Sequence, residues 1–491
     1  MQDKHRLLRI VNIEYALIQG LYWIGFCGIV SYAAVYLQAS GYSNTQLGRI
    51  LAAGYILGFL FPQMLANLID RYEKITVYRS FRCCAMPYFL RIKMILSPIL
   101  RENDWELSKM KLVIHDFDAE EWEQIRADYE GDRIVSDLGT IRPCVGCFCC
   151  WNKTPGRCVI RDGYENMGEL IHRADEVVVF SRYTYGGFSG FVKNVFDRCL
   201  GYVLPQFEVI DGETHHQKRY PEDKPYTFIF RGHALSGEEQ ESARRYVKAV
   251  CANIRGHVKA VEFRECEEQP CSGEVQNGLV PDRIVFLNGS MRSQNGNSAK
   301  LAGKLGCLLQ CEYETVELRK YIADLPGLLA ALETAETLIF CTPLYVDGLP
   351  AQLIRFLEYA QGHADWAGKK VYVLANMGLY ESKQLVNLFS AVRQWCGTMN
   401  MDYCGGLGVS AGELVGVLIS CTPFRLWPTG KIAAGMGKLA EAVRLGAKTE
   451  DIYTEPFGFP RSLYIRIANT NWNRTAKQNG ISPADLYRRL S

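Results

Sequence analysis

From about residue 110 onward, short apolar runs alternate with stretches whose apolar residues recur at helical spacing. Four of the apolar runs lie at 111–117, 176–181, 226–232 and 283–288, and two more begin at 337 and 369. Strands that alternate with amphipathic helices predict a parallel sheet covered by helices on both faces. The pattern therefore predicts the α/β fold class, with ligands bound at the carboxyl ends of the strands.

The same region is internally duplicated. Residues 174–187 align with residues 334–347 at a constant offset of 160. The alignment places Phe180 on Phe340 and Tyr185 on Tyr345. We therefore expect two doubly wound α/β domains in tandem, built alike but carrying different residues at their strand ends.

The N-terminal part has a different pattern. Residues 15–37 and 50–69 contain no charged side chain, and each is long enough to cross a bilayer as a helix. Basic residues flank the pair on its outer sides and are absent from the connection between the spans, which places both ends in the cytoplasm. Two buried helices of a soluble domain are the alternative. The segment, including LANLIDR at 65–71, resembles the first two helices of a major facilitator superfamily transporter, although the apolar pattern stops after two spans.

The length of 491 residues allows about three domains. A start at Met110 for an unfused protein is compatible with the mixed composition of the preceding segment. The predicted organisation is a transmembrane hairpin at 1–74, a junction at 75–109, a domain at 110–272, and a domain with a C-terminal helical tail at 280–491.

The composition limits which binding partners and which cellular compartment we expect. The net charge of +2, from 55 basic and 53 acidic residues, gives no long-range attraction to nucleic acid. The 18 cysteines cluster at short spacing or sit singly in apolar runs, as expected in a reducing compartment. We predict a location in the cytoplasm, on the inner face of the cell membrane if the hairpin is expressed.

A compact cysteine run is the candidate metal site of the first domain. Cys144, Cys147, Cys150 and Cys158 have the spacing C-x2-C-x2-C-x7-C. Three thiolates two residues apart can converge on one object, as in ferredoxin-type runs that hold iron–sulfur clusters. Zinc, which more often uses two separated pairs, and unligated thiols remain alternatives. Cys149 is a spare sulfur within the run.

A polar loop is the candidate phosphate site of the second domain. The strand 283–288 leads into the loop 289–298 and then into a helix. Free N–H groups of a first helical turn and the helix dipole favour an anion at such a place. Ser290, Asn297 and Ser298 can donate hydrogen bonds there, and Arg292 can neutralise charge. A plain turn with a helix N-cap is the alternative reading of the same residues.

The cysteine run, the CVIRDG turn at 158–163 and the KNVFDR helix at 193–198 carry a family resemblance. They are similar to the flavodoxin-like NAD(P)H-dependent FMN reductases, particularly the iron–sulfur flavoproteins, which combine a cysteine run with FMN. The resemblance covers most of residues 110–205. It departs at 115–121, HDFDAEE, where the family has a Gly/Ser loop around the phosphate; four carboxylates repel a phosphate.

Residues 283–410 resemble the NADPH-dependent FMN reductase family, with its GSPR-like loop present as GSMR at 289–292. The resemblance implies a flavodoxin-like domain that binds FMN through three loops and accepts electrons from NAD(P)H stacked on the flavin. A T-P-x-Y turn at 342–345 would contact the flavin ring, and N-M-G at 376–378 its pyrimidine edge. The implied FMN-binding residues are Ser290, Arg292, Ser293, Asn297, Ser298, Pro343, Leu344, Tyr345, Gly348, Asn376, Met377 and Gly378.

The functional expectation is an FMN-dependent NAD(P)H oxidoreductase with an iron–sulfur cluster as a further group, acting on an unknown electron acceptor. No catalytic acid, base or nucleophile is expected, because the flavin carries the redox chemistry. The alternative is an electron-transfer module that passes electrons between protein partners without using NAD(P)H. A membrane interaction protein that has lost its cofactors is a third reading. The two domains are expected to pair within the chain or in a homodimer.

Overall fold

The computed structural model describes residues 110–265, 283–292, 296–421, 424–425, 427–456 and 458–490. By contacts the chain divides into residues 1–106 and residues 107–491. The predicted hairpin at 15–37 and 50–69 and the junction at 75–109 lie outside the described residues and stay predictions. Among the residues described, no helix is both long and apolar enough to cross a membrane.

The first domain contains a parallel sheet with the strand order β2-β1-β3-β6-β7. An antiparallel hairpin, β4–β5, is inserted after the third strand. The strands are β1 Lys111–His115, β2 Arg133–Ser136, β3 Glu176–Arg182, β4 Val203–Ile210, β5 Glu213–Lys218, β6 Pro225–Gly232 and β7 His257–Glu265. Without the hairpin, this is the 2-1-3-4-5 order of flavodoxin-like sheets.

Three helices of the first domain begin at residues whose side chains cap them. Asp118 and Ser236 each form a capping box, and the Ser189 hydroxyl accepts from the N–H of Val192. The helices are α1 Ala119–Ile125, α2 Cys149–Asn152, α3 Met167–Arg173, α4 Gly190–Asp197 and α5 Gly237–Asn253.

The second domain contains a six-stranded parallel sheet of order β13-β12-β11-β10-β8-β9. Its strands are β8 Ile284–Asn288, β9 Glu314–Glu317, β10 Thr337–Pro343, β11 Lys370–Asn376, β12 Asp402–Val409 and β13 Ile452–Thr454. Its helices are α6 Asn297–Leu309, α7 Leu325–Glu333, α8 Ala351–His363, α9 Val386–Thr398, α10 Gly412–Cys421, α11 Gly430–Leu445 and α12 Arg461–Gln478. The prediction of an α/β chain with parallel sheets is confirmed.

The structure corrects the offset between the two copies from 160 to 161. Strand β3 begins at Glu176 and strand β10 at Thr337, and both copies keep this spacing through the turn that follows. Phe180 therefore corresponds to Cys341 and not to Phe340. Phe180 and Cys341 lie on the outer faces of their sheets, whereas Phe340 packs on the opposite face. A slip of one residue in a strand moves every side chain to the other face, so the corrected alignment restores matching cores.

The two domains pack against each other through α4 and α8. Gly190 at the start of α4 lies against Arg355 of α8, where a Cβ atom would overlap the arginine side chain. Tyr185 and Phe207 of the first domain belong to the apolar cluster of the second sheet. The two domains therefore share a core.

The C-terminal tail returns to the first domain. Helix α12 packs on strand β4, and the residues after it are held by Arg219, which is buried. The Arg219 guanidinium donates to the carbonyl oxygens of Gly201 at 2.7 Å, Leu486 at 2.7 Å and Arg488 at 2.6 Å. Burial lowers the pKa of Arg219 to about 10, which leaves it protonated at neutral pH.

We predict that Arg219→Met lowers the free energy of unfolding by about 3 kcal/mol, because buried carbonyl groups lose a charged donor. The measurement is the urea midpoint and slope of the full chain. Arg126→Met is the matched control, since the Arg126 pair with Glu123 is exposed and contributes less than about 1 kcal/mol. Equal midpoints for both variants would contradict this role of Arg219.

Candidate functional site

The candidate site of the second domain lies where β8, β10 and β11 end. These strands are parallel neighbours, with Asn288 opposite Cys341 and Pro343 opposite Asn376. Their carboxyl ends therefore meet at one edge of the sheet, and the loops that follow form a crevice there. The three sequence segments predicted to hold FMN are brought together at this edge.

The loop after β8 is folded by its own polar side chains. The Asn288 side-chain oxygen accepts from the N–H of Ser290 at 3.1 Å, and the Ser290 hydroxyl accepts from the N–H of Arg292 at 3.3 Å. Helix α6 then begins after Gly296, which has no side chain to cap its first turn. The N–H groups of this turn are therefore available to an anion. Ser293 lies outside the described residues.

The loop after β11 is tied to the start of α6. The Asn376 side-chain amide donates to the Ser298 hydroxyl at 2.7 Å, and both side chains are buried. Met377 continues the chain, with its N–H bonded to the carbonyl of Val409 at 3.1 Å. Two of the predicted FMN-binding loops therefore contact each other through predicted site residues.

The side chains of Arg292 and Asn297 both contact residues outside the loop. The Arg292 Nε donates to the Gly146 carbonyl at 2.8 Å, and its Nη1 lies 3.0 Å from a carboxylate oxygen of Glu413. The charge that the sequence assigned to a phosphate is thus already paired. Asn297 lies against Gly416, where a Cβ atom would overlap its side-chain oxygen.

The loop after β10 is a tight turn. Tyr345 and Gly348 exchange two backbone hydrogen bonds of 3.0 Å, and Val346 and Asp347 between them have positive φ angles of 37° and 60°. The N–H of Leu344 donates to the Asn376 carbonyl at 2.8 Å, which fixes the turn beside the loop after β11. This is the T-P-x-Y turn that the sequence assigned to the flavin ring.

A buried ion pair of the first domain supports this turn. Lys193 and Asp197 lie one helical turn apart on α4 and form a salt bridge with both side chains buried. The Lys193 ammonium also donates to the carbonyl of Tyr345 at 2.7 Å. The other oxygen of Asp197 accepts from the N–H of Ala351 at 3.0 Å. The sequence analysis placed both residues on the KNVFDR helix but gave them no role in the site, although two opposite charges at helical spacing in an apolar helix are a signal for a buried pair.

Asp347 is a second buried acid at the turn. Both of its carboxylate oxygens accept from the Asn253 side-chain amide, at 2.7 and 2.8 Å. Burial raises the pKa of Asp347 to about 6, and the Asn253 hydrogen bond and the charge of Lys193 oppose this rise. Asp347 therefore titrates near neutral pH within the site.

The cysteine run of the first domain lies over this edge of the second domain. Gly146 accepts from Arg292, whose guanidinium is centred 4.7 Å from the ring of Phe148. A Cβ atom on Gly146 would overlap the hydroxyl of Tyr345. Since Gly146 lies between two of the predicted metal ligands, the run and the predicted flavin site are in direct contact.

The four predicted ligands lie close to one another. Burial raises the pKa of the Cys150 thiol well above its usual range, and the charges of Cys144, Cys158 and Cys147 raise it further. Burial likewise raises the pKa of Cys144 to about 12. Burial raises the pKa of Cys149 to about 11, and Cys147 and Cys158 raise it further, so the spare sulfur belongs to the same group of thiols.

In the parts of the chain that are described, no three His, Cys, Asp or Glu side chains surround a single ion. A bound metal deprotonates its thiols and so reverses the raised pKa of each. Four thiols are a donor set that both an iron–sulfur cluster and zinc use.

At the corresponding edge of the first domain, where its strands end, charged side chains pair with one another. Arg231 at the end of β6 pairs with Glu121 and with Asp116, the latter at 3.2 Å. Its guanidinium lies 3.9 Å from the centroid of the Phe117 ring. Asp118 caps helix α1 with its side chain. Two of the four carboxylates of the acidic loop are therefore paired with an arginine that the sequence analysis did not single out.

The comparisons with known proteins concern the second domain above all. Residues 283–412 match the family model of NADPH-dependent FMN reductase. This span identifies an oxidoreductase domain that uses FMN, with NAD(P)H as electron donor. No curated protein sequence matches the chain.

Three solved structures show partial likeness to the chain. The Trp repressor binding protein from Bacillus subtilis is 24% identical, with 26% of this chain and 84% of that chain covered and a TM-score of 0.23. The azoreductase AzrA is 15% identical over 33% of this chain and 99% of its own, with a TM-score of 0.25. An FMN-dependent NADH-azoreductase from Bacillus anthracis in complex with FMN is 11% identical over 34% and 100%, with a TM-score of 0.26. The functional conclusion rests on the family model and on the residues of the site.

We predict that Asp347→Asn flattens the dependence of stability on pH between about pH 4 and pH 6. The folded pKa of about 6 lies above the ordinary value of 3.8, so the folded chain retains a proton that the unfolded chain releases. The contribution is fully present below pH 3.8 and is lost as the pH rises through 6. At pH 7 the variant is expected to gain up to about 3 kcal/mol, from roughly two pKa units at about 1.4 kcal/mol each.

The measurement is urea unfolding of the full chain at a series of pH values. Asparagine tolerates the positive φ of this position, so the substitution adds no backbone strain. Asp365→Asn is the control, because Asp365 is exposed. A variant that keeps the wild-type slope would show that Asp347 does not hold the proton.

Proposed function

We propose that the chain is an FMN-dependent NAD(P)H oxidoreductase whose second domain binds the flavin and whose first domain holds an iron–sulfur cluster beside it. The observation that carries this proposal is the contact of the cysteine run with the flavin-site loops, through Gly146, Arg292 and Tyr345. A cluster held by Cys144, Cys147, Cys150 and Cys158 would lie at the edge of the flavin site. The electrons would pass to an acceptor whose chemical class is not identified.

The residues present fit a flavin phosphate. Ser290, Ser298 and the uncapped first turn of α6 offer hydroxyl and N–H donors at a positive helix end. Arg292 would hold the loop against the cysteine run, with its charge paired with Glu413. When bound, FMN would accept a hydride from NAD(P)H and release electrons singly.

The rest of the site would orient the flavin ring. Lys193 holds the turn from Tyr345 to Gly348 by donating to the Tyr345 carbonyl. Ser298 fixes the loop at Asn376 by accepting from the Asn376 side-chain amide. A rigid turn presents its backbone at a constant position, which is how a protein tunes a flavin without supplying reacting groups. Asp347 lies at this turn and takes up a proton as the pH falls through about 6.

We infer one flavin per chain. The position in the first domain that would face a phosphate carries Asp116 and Glu121, both paired with Arg231. A phosphate there would have to displace two carboxylates from their arginine. The first domain thus contributes the cysteine run and Lys193 to a site in the second domain.

The alternative function is an electron-transfer module that exchanges electrons with protein partners and does not use NAD(P)H. The coverage of the flavin-site edge by residues 144–150 favours it, since this segment lies against the phosphate loop from outside. A location on the cytoplasmic side of the membrane is also proposed, on the uncharged spans at 15–37 and 50–69 alone.

Flavin titration followed by anaerobic reduction tests the proposal. We expect the purified chain to bind about one FMN, and NADPH to bleach the bound flavin in the absence of oxygen. The double variant Ser290→Ala/Ser298→Ala should bind FMN at least about tenfold more weakly, because each lost bond to a charged group is worth about 1.5–3 kcal/mol. Ser236→Ala, which removes the cap of α5 outside the site, is the matched control.

Each outcome of this experiment decides one point. Absence of FMN binding rejects the oxidoreductase, and binding without bleaching by NADPH or NADH supports the electron-transfer module. Two FMN per chain would show that the acidic loop around Asp116 opens to a phosphate.

The cluster is tested by metal analysis of anaerobically prepared protein. We expect about four iron atoms per chain, as for a cubane cluster held by four cysteines. Cys150→Ser should remove the iron, whereas Cys149→Ser should retain it, because Cys149 is the spare sulfur of the same helix. Zinc in place of iron, or equal loss in both variants, would contradict the assignment of the ligands.

A further inference from the structure

Helix α12 lies outside the span that matches the FMN reductase family, yet one of its side chains reaches a loop of the flavin site. The family match ends at residue 412, and α12 covers Arg461–Gln478. Tyr464, in the first turn of α12, is buried, and its hydroxyl donates to the carbonyl of Gly378. Gly378 belongs to the loop after β11 that the sequence assigned to the pyrimidine edge of the flavin. The C-terminal tail thus contacts a predicted FMN-binding residue directly.

The backbone of this loop is held at three successive carbonyl groups. The outer two, of Met377 and Leu379, accept from backbone N–H groups at 2.7 and 2.8 Å. The Gly378 carbonyl between them has the Tyr464 hydroxyl as its sole partner among the described residues. The peptide group that joins Gly378 to Leu379 therefore takes its orientation from a side chain of the tail.

The same peptide group presents a donor that has no acceptor. A trans peptide is planar, so its N–H points in the opposite direction to its carbonyl. The N–H of Leu379 therefore points away from Tyr464, and it has no acceptor within the part of the chain that the structure describes. Gly378 is itself exposed, and a Cβ atom placed on it would meet nothing within 4 Å. An unpaired N–H beside open space at a strand end is a place where a ligand can accept a hydrogen bond.

The ring of Tyr464 is packed between the two domains. It lies on Phe207 of strand β4, with the ring centroids 6.1 Å apart, and on Tyr380 of the loop, at 5.8 Å. The Tyr380 hydroxyl in turn donates to the carbonyl of Phe459, just before α12, at 2.5 Å. Two tyrosine hydroxyls therefore join the loop to the helix, one donated from each side.

Helix α12 is itself anchored on both domains. The Asn469 side chain accepts from the N–H of Phe207 at 2.8 Å and donates to its carbonyl at 3.2 Å. Arg461, at the start of the helix, pairs with Glu381 of the second domain at 2.9 Å. The position of the Tyr464 hydroxyl is therefore fixed by contacts that do not involve the flavin loop.

We propose that Tyr464 positions the loop at 376–379 for FMN, so that the flavin site is complete only when the C-terminal helix is docked. The inference rests on the flavin site of the proposed function and adds a residue from outside the family match. By holding the Gly378 carbonyl, Tyr464 presents the Leu379 N–H as a donor to the polar edge of the flavin. Tyr464 is a positioning residue, since it acts through the loop.

The test is FMN titration of the flavin-free, full-length chain, followed by the quenching of flavin fluorescence. Tyr464→Phe keeps the packed ring and removes the donor to the Gly378 carbonyl. We expect the dissociation constant for FMN to rise about fivefold, the change that corresponds to one neutral hydrogen bond of about 1 kcal/mol. The absorption bands of the flavin that still binds should shift toward those of free FMN, because its polar edge loses a fixed donor.

Tyr372→Phe is the matched control. Tyr372 is buried in the same domain, and its hydroxyl donates to the carbonyls of Ala442 at 3.0 Å and Ala447 at 2.8 Å. It belongs to the apolar cluster on the other face of the sheet from Tyr464. Both variants should lower the urea midpoint of the flavin-free chain, whereas only Tyr464→Phe should weaken FMN binding and shift the flavin bands.

The outcomes separate this inference from the function on which it rests. Wild-type protein that binds no FMN overturns the flavin site and the inference together. Wild-type protein that binds FMN, with equal dissociation constants for Tyr464→Phe and Tyr372→Phe, overturns the inference alone. If Tyr464→Phe does not fold, Tyr380→Phe decides, since it removes the other hydroxyl between loop and helix. Weaker FMN binding by Tyr380→Phe supports the inference, and an unchanged constant overturns it.

Discussion

The buried pair of Lys193 and Asp197 connects the two domains at the point where the candidate site is built. A charge removed from water is costly unless other polar groups surround it. Here the pair is completed by the carbonyl of Tyr345 and the N–H of Ala351, both from the other domain. Neither domain alone satisfies these groups, so the position of the flavin-site turn depends on the contact between the copies.

The two sheets share the order of five strands but carry different residues at their strand ends. In the second domain the loop after β8 presents hydroxyls and an open helix start. In the first domain the same place carries Asp116 and Glu121, neutralised by Arg231. The pairing with Arg231 stabilises the acidic loop. The first domain contributes to the site of the second domain through residues that lie far from its own strand ends.

The sequence predicted what depends on local pattern. Apolar runs located the strands, and the Gly/Ser loop at 289–298 located the edge at which the site lies. The register of the duplication was wrong by one residue, because Phe180 and Phe340 look alike in a sequence while only the strand faces distinguish them. The contact between Gly146 and Arg292 could not be predicted, since no local spacing relates residues 146 positions apart.

Joining both copies in one chain has a chemical consequence for the site. In a pair of identical subunits, every residue that covers a neighbour's site must also be compatible with its own. In this chain the cysteine run at 144–158 covers only the second domain, and the loop after β8 needs to accommodate only that run. Phe148, which holds a left-handed backbone between two cysteines and stacks on Trp151 while Arg292 lies over its ring, is adapted to this single arrangement. The contact of the two domains therefore brings the cysteine run to the loop after β8 of the second domain.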